Sequence, residues 1–165
     1  MAHIKKDSDP FDLQAFFPYQ VRVFYREVSQ SIADIYVKKH GLTVYEWRVM
    51  AVLGNHQPLS ASEVVQHSSL DKVQISRAIK GLMKAGLLER RVDDTDKRRV
   101  NLCLTQHGNA VFRELVPLVR QREREILSNL SADEEAMLKK LMARVRENAS
   151  ACLNNPTPQS PKAPS

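Results

Sequence analysis

The chain has 165 residues, 42% of them hydrophobic, enough for one core of ordinary size. Aromatics reach only 6% and there are five glycines, which argues against an all-β fold and for a mainly helical one. A net charge of +6 points to a polyanionic partner, nucleic acid ahead of an anionic membrane surface, and only the placement of that charge can separate the two.

Residues 1–10 are polar and are expected to be flexible. Over 11–39 apolar residues recur at helical spacing (Phe16, Tyr19, Val23, Ile32, Ile35, Tyr36), predicting one long helix, kinked or begun anew at Pro18, which suits a first turn. Gly41 ends it behind Lys38, Lys39 and His40, cations suited to a helix C-terminus. Thr43 and Glu46 then have capping-box spacing and open a helix through Trp47, Val49, Met50, Val52 and Leu53, which stops near Gly54-Asn55, with Pro58 confirming the break. Ser60 with Glu63 opens a short helix, 60–67. Asp71 caps a third, 71–85, which Gly86 ends. The polar pair Ser68-Ser69 between the last two makes a helix-turn-helix pattern.

After Gly86 the period changes. Residues 87–92 and 100–104 read as two strands with partial alternation. The charged turn between them runs Asp93, Asp94, Thr95, Asp96, Lys97, Arg98, Arg99. A hairpin with a basic tip directly after a helix-turn-helix is a wing. A long helix follows from 105 or 106 to about 129, with Pro117 inside it, and Ser131 with Glu134 opens a last helix through Met137, Leu138, Leu141 and Val145. From Asn154 onward proline is dense and a disordered tail is expected. The expected architecture is therefore mainly α with a small β-hairpin. It divides into a flexible start (1–10), a first long helix (11–40), a winged helix-turn-helix domain (41–105), two C-terminal helices (106–150) and a tail (151–165).

The placement of charge answers the question that composition left open. Segment 71–100 holds nine Lys or Arg against five acids, a net of +4 that supplies most of the chain's excess. On the helix 71–85, Ile75, Ala78, Ile79 and Leu82 fall on the core side. Lys72, Val73, Gln74, Ser76, Arg77 and Lys80 are left outside, where a recognition helix reads bases with its first turns. Gln suits adenine edges, Arg suits guanine and Val suits a thymine methyl. In the wing, Asp96, Lys97, Arg98 and Arg99 set an acid two residues before an arginine. That spacing can order the guanidinium for a narrow minor groove. Taken singly, each of these side chains fits an ordinary solvated surface, and the wing pairs fit surface ion pairs of little energetic weight.

Other chemistries lack their residues. Cys103 and Cys152 stand far apart with no CxxC, and His3, His40, His56, His67 and His107 show no ligand spacing, so no zinc site and no cofactor are expected. No GxSxG, phosphate-binding loop, HExxH or dinucleotide fingerprint occurs, so an enzyme is not expected. No stretch approaches the roughly 20 apolar residues of a membrane helix, and the N-terminal residues lack the apolar run of a signal peptide. A cytoplasmic protein without membrane contact is the expectation. The alternative class is a basic helical interaction protein with no sequence-specific DNA binding. A membrane helix would need an apolar face opposite its cations, whereas these cations straddle a helix and a hairpin.

Leu82, Gly86, Leu88 and Arg90, then Asp96 and Arg98, then Leu104-Thr105 and Gly108 resemble the DNA-binding region of the MarR (multiple antibiotic resistance regulator) family. The helix order before and after also fits, so the resemblance covers about residues 11–150. It implies a transcriptional regulator, commonly a repressor, that binds a near-palindromic operator as a homodimer. The implied interface joins the first helix to the last two, through Phe11, Leu13, Phe16 and Phe17 and through Leu127, Leu130, Leu138, Leu141 and Val145. It also implies release by a small phenolic or carboxylate effector, for which Tyr19, Arg22, Arg26, Tyr36, Trp47 and Arg48 are the candidate ligand-binding residues. An arginine beside aromatic rings can hold an aromatic acid by its carboxylate and its ring. Against this stands the plainer assignment of Tyr36 and Trp47 to the core and of Arg22 and Arg26 to a dimer surface. The segment 16–53 is similar to family members that regulate aromatic-acid catabolism, some of which sense the coenzyme A thioester. The peroxide-sensing branch uses an early cysteine that this chain lacks, and Cys103 on a wing strand is expected to pack.

Overall fold

The computed structural model describes residues 10–92 and 96–154. The expected flexible start (1–9), the first half of the wing turn (Asp93, Asp94, Thr95) and the expected tail from 155 lie outside the described residues. The elements in chain order are α1 (Phe17–His40), α2 (Val44–His56), α3 (Ala61–His67), α4 (Lys72–Lys84), β1 (Leu88–Val92), β2 (Val100–Leu104), α5 (Gln106–Leu127) and α6 (Ala132–Asn154). Mainly α with one small hairpin is the class that composition and periodicity led one to expect.

The first helix does not start at Phe11. It starts at Phe17, with Phe16 as an N-cap that makes no side-chain cap bond and Pro18 in the first turn. Proline lacks the N–H that would bond a preceding turn, and its ring crowds that turn's carbonyl, costs that vanish in a first turn, so Pro18 favours a start here. Residues ahead of Pro18 fold locally instead: the Phe16 N–H donates to the Leu13 carbonyl at 3.3 Å, and the rings of Phe11 and Phe16 meet edge-on at 5.2 Å. The last helix departs the other way. It continues to Asn154, past the expected end at 150, because Ala151, Cys152 and Leu153 contain no breaker before Pro156.

The helix starts follow their caps. Thr43 with Glu46 and Ser60 with Glu63 form complete capping boxes. Ser131 and Glu134 do the same, the Ser131 N–H donating to Glu134 Oε2 at 2.8 Å and the Glu134 N–H to Ser131 Oγ at 3.3 Å. The box at Asp71 uses Gln74 as its reciprocal partner.

Two compact units divide the chain at 123/124. In the first, one core is built from α2 (Val49, Met50, Leu53), Val64 of α3, the apolar stripe of α4, and Leu88, Leu102 and Leu104 of the hairpin, closed by Val111 and Leu115 of α5. The hairpin is antiparallel, with Leu88 opposite Leu104 and Val92 opposite Val100. A single residue, Leu59, adds a third edge to it. Its N–H and carbonyl exchange bonds with Leu102 at 3.3 and 2.7 Å, tying the segment before α3 to β2.

The junctions around the hairpin are fastened by Gly86, Thr105 and Gly108. Gly86 turns the chain out of α4 at φ +68°, a left-handed conformation that glycine adopts without penalty. The Thr105 hydroxyl donates to the Gly86 carbonyl at 2.7 Å and accepts from the Gly108 N–H at 3.0 Å. A Cβ on Gly108 would lie 2.0 Å from the Leu87 carbonyl oxygen, so only glycine lets α5 start this close to the hairpin. The Leu-Thr-x-x-Gly spelling of this segment therefore has a mechanical reason.

In the second unit, α6 carries no buried residue along 23 positions. Met137, Leu141 and Val145, four apart, are all exposed.

Candidate nucleic-acid interface

Helix α4 buries Ile75, Ala78, Ile79 and Leu82, and that burial decides what its other side presents. Val73, Ser76, Arg77 and Lys80 recur at i, i+3, i+4 and i+7, all exposed on one face, with Lys72 beside them. Val73 is 58% exposed, an apolar side chain held in solvent on the first turn of a fixed helix. Gln74 sits differently. It is half-buried, and its Oε1 accepts from the Asp71 N–H at 3.2 Å while the Gln74 N–H donates to Asp71 Oδ1 at 2.7 Å. With one lone pair of its oxygen engaged in the cap, Gln74 keeps its amide N–H groups and a second lone pair to offer a base, in the orientation that the cap sets.

In the wing, Asp96, Lys97, Arg98 and Arg99 are all exposed and form a turn. The contact between Asp96 and Arg98 runs through the main chain: the Arg98 N–H donates to Asp96 Oδ1 at 3.0 Å, and the Arg99 N–H to the Asp96 carbonyl at 2.8 Å. The acid therefore shapes the turn that carries the arginine. Arg99 is turned onto α3, its Nη2 lying 2.7 and 2.8 Å from the two carboxylate oxygens of Glu63. Glu63 also accepts from the Ser60 hydroxyl and N–H, both at 2.7 Å. The Ser60 hydroxyl first, then its N–H, then Arg99 hold the Glu63 carboxyl down at about 2.

The six residues expected to bind a ligand do not share one site. Tyr36 is 2% exposed and stacks on Trp47 at 5.5 Å, and Trp47 in turn lies 6.1 Å from Phe112. Both rings therefore belong to the core packing. Tyr19 is half-buried one turn ahead of the others. Arg22 and Arg26 do come together, in a cavity of about 320 Å³ lined also by Tyr25, Ser29, Gln30, Ala33 and Val44. Arg48 reaches its edge by donating to the Tyr25 hydroxyl at 2.9 Å. Tyr25 is the residue that sequence reasoning missed, although its i+3 spacing from Arg22 puts the two on one helix face. A hydrogen bond with Ser29 lowers its hydroxyl's pKa, against the opposing effect of burial and with help from Arg48. Cys103 is buried on β2, and among the described residues no group of three or more His, Cys, Asp or Glu could hold a metal ion. No helix among the described residues is long and apolar enough to cross a membrane.

A helix-turn-helix (α3, α4) followed at once by a hairpin with a basic turn, all set on one core, defines a winged helix-turn-helix protein. A sequence model described as the MarR family matches residues 40–99. The HTH-type transcriptional regulator PecS of Dickeya dadantii is 30% identical over 118 residues, 70% of this chain and 71% of that protein. The chain belongs to the MarR family of transcriptional regulators and is not an enzyme. Solved structures agree in fold. Bordetella bronchiseptica BpsR, described with the regulation of its DNA binding by 6-hydroxynicotinic acid, superposes with a TM-score of 0.74 at 22% identity, over 83% of this chain and 97% of that one. The PcaV transcriptional regulator of Streptomyces coelicolor, in complex with its natural ligand, gives 0.71 at 25% identity over 85% and 98%.

Proposed function

We propose that this chain is a DNA-reading regulator, and a repressor, that binds a near-palindromic operator in the cytoplasm as a homodimer. The segment 41–105 reads DNA. Helix α4 enters the major groove with Lys72, Val73, Gln74, Ser76, Arg77 and Lys80, and the turn Asp96, Lys97, Arg98 and Arg99 lies over the adjacent minor groove. The observation that carries this reading is the face of α4: four exposed residues in register on a helix whose other side is fully committed to the core. The flanking segments 11–40 and 106–150 serve dimerisation. Each unit offers its own exposed apolar face for a second copy to cover, Phe11, Phe17 and Phe24 in one and Met137, Leu141 and Val145 in the other.

The effector on this reading is a small aromatic acid or its coenzyme A thioester, held in the cavity of α1. Arg22 supplies a cation for a carboxylate or phosphate, Arg26 can add a second only by giving up its pair with Glu27 at 2.8 Å, and Tyr25 supplies a ring to pack against an aromatic. At about 320 Å³ the cavity is at the small end of ligand sites, so it suits one aromatic ring and leaves any coenzyme A outside. BpsR offers a precedent on the same fold, in that 6-hydroxynicotinic acid regulates its DNA binding.

The test is selection of duplexes from a random library by the full-length chain, followed by binding at several salt concentrations. A near-palindromic sequence is expected to enrich, with affinity falling steeply as salt rises because bound phosphates release counterions. No enrichment, or affinity indifferent to salt, contradicts DNA reading. A thermal-shift screen of aromatic acids and their coenzyme A thioesters, repeated on Arg22→Ala, tests the effector assignment. A stabilising compound that also releases the selected duplex, and that loses its effect in the variant, is the expected result.

A further inference from the structure

We infer that Arg99 is a positioning residue rather than a phosphate contact: by gripping Glu63 on α3 it fixes the wing turn and aims Arg98. This inference rests on the DNA-reading function proposed above.

Three connections make the case. The first is within the turn, where Asp96 accepts from the Arg98 and Arg99 N–H groups and so closes residues 96–99 into a unit. That closure says nothing about where the unit points. The second is the main-chain pairing of Leu59 with Leu102, which ties the middle of β2 to the residue just ahead of the Ser60 cap. The third is the Arg99–Glu63 pair, which ties the residue just ahead of β2 to the third residue of α3. Two attachments on either side of one cap hold the wing root against rotation about its single edge.

The Glu63 carboxylate suits this use because its own helix cap holds it in place. Its Oε2 accepts from both the Ser60 hydroxyl and the Ser60 N–H at 2.7 Å, so the carboxylate cannot swing away without breaking this side of the capping box, and Oε1 is left to face Arg99. The pair is half-exposed, with side-chain accessibilities of 48% and 33%. Ion pairs so exposed contribute little to fold stability, so the consequence of losing this one is in orientation. A guanidinium already engaged by a carboxylate also has little charge left to exchange for phosphate counterions. Arg98, by contrast, is exposed, and its backbone N–H is what Asp96 holds.

The experiment measures binding to the selected duplex against salt for wild type, Arg98→Ala, Arg99→Ala, Glu63→Gln and the double variant Arg99→Ala with Glu63→Gln. Gln at the third position of a capping box preserves the cap, so Glu63→Gln removes only the grip on Arg99. Arg98→Ala is expected to bind about tenfold more weakly with a salt slope reduced by about 1, as for a lost phosphate or groove cation. Arg99→Ala is expected to bind about five- to tenfold more weakly with its slope unchanged. Glu63→Gln is expected to weaken binding by a similar factor, and the double variant to be no weaker than either single one. Charge alone predicts the reverse sign for Glu63→Gln, because removing an anion beside DNA tightens binding. Unchanged or tighter binding by Glu63→Gln overturns the positioning role, as does a slope for Arg99→Ala reduced by about 1. A wild-type chain that binds no duplex overturns the DNA reading itself. The strut is then judged by hydrogen exchange without DNA, faster at the 96–99 amides in both single variants if it is present and unchanged if it is not.

Discussion

Helices α4 and α6 are both amphipathic, yet they finish differently. Helix α4 has 13 residues and buries four of them within its own chain. Helix α6 has 23 residues and buries none. The first part of α1 resembles α6, with Phe17, Val21 and Phe24 exposed along one side. A helix of the first kind is complete as folded, and its remaining face is free to be used on something else. A helix of the second kind shows a stripe of apolar side chains that water does not favour, which is what a subunit interface looks like before its partner arrives. The winged region thus reads as a finished module, and the dimer proposed above would use the exposed stripes of α6 and the first part of α1.

The largest effect should come from breaking the unfinished side. Leu141→Glu puts a charge in the exposed stripe of α6, and sedimentation should find monomers. Operator binding should fall by about a hundredfold or more, since linking two half-site readers multiplies affinity by about 10² to 10⁴. A dimer that survives this change would remove α6 from the interface. Next in size is a lesion in the finished module. Leu82 is fully buried on α4, and Leu82→Ala should cost about 2–5 kcal/mol in a denaturant titration. A cost under about 1 kcal/mol would mean that the α4 stripe is not core.

The smallest effect concerns pH. The Glu63 carboxyl is held at about 2 in the folded chain against an ordinary value of 4.5. A lowered carboxyl stabilises the fold fully above its unfolded value, and that stability disappears as pH falls through the folded one. Wild type should therefore lose more stability than Glu63→Gln between about pH 4.5 and pH 2 and behave like it above. Parallel curves through that window would show that the carboxyl is not held low.

What could be read from sequence was whatever lies within about four residues. The boxes at Thr43, Ser60 and Ser131 and the cap at Asp71 are local arrangements, so spacing alone identified them. The apolar stripe of α4 is likewise a matter of period. The start of α1 was left between two readings, because the upstream aromatics have helical spacing while Pro18 favours a first turn, and the structure takes the second. Long-range features left no trace in the period. Leu59 pairs with Leu102 through a single residue, too short to alternate. Arg99 finds Glu63 across 36 positions, so it looked like one more free cation of the wing. At the cavity of α1, aromatic character drew attention to Tyr36 and Trp47, which stack in the core, whereas Tyr25 lines the space with Arg22 and Arg26.

The central claim is that one finished reading module, doubled by a partner copy, meets two half-sites of DNA. Hydroxyl-radical footprinting of the full-length chain on the selected duplex tests it most directly. Two protected patches are predicted, centred about 10 base pairs or roughly 34 Å apart on one face of the helix, each losing its minor-groove edge in Arg98→Ala. A single patch, or protection that spreads without a period, would contradict the account.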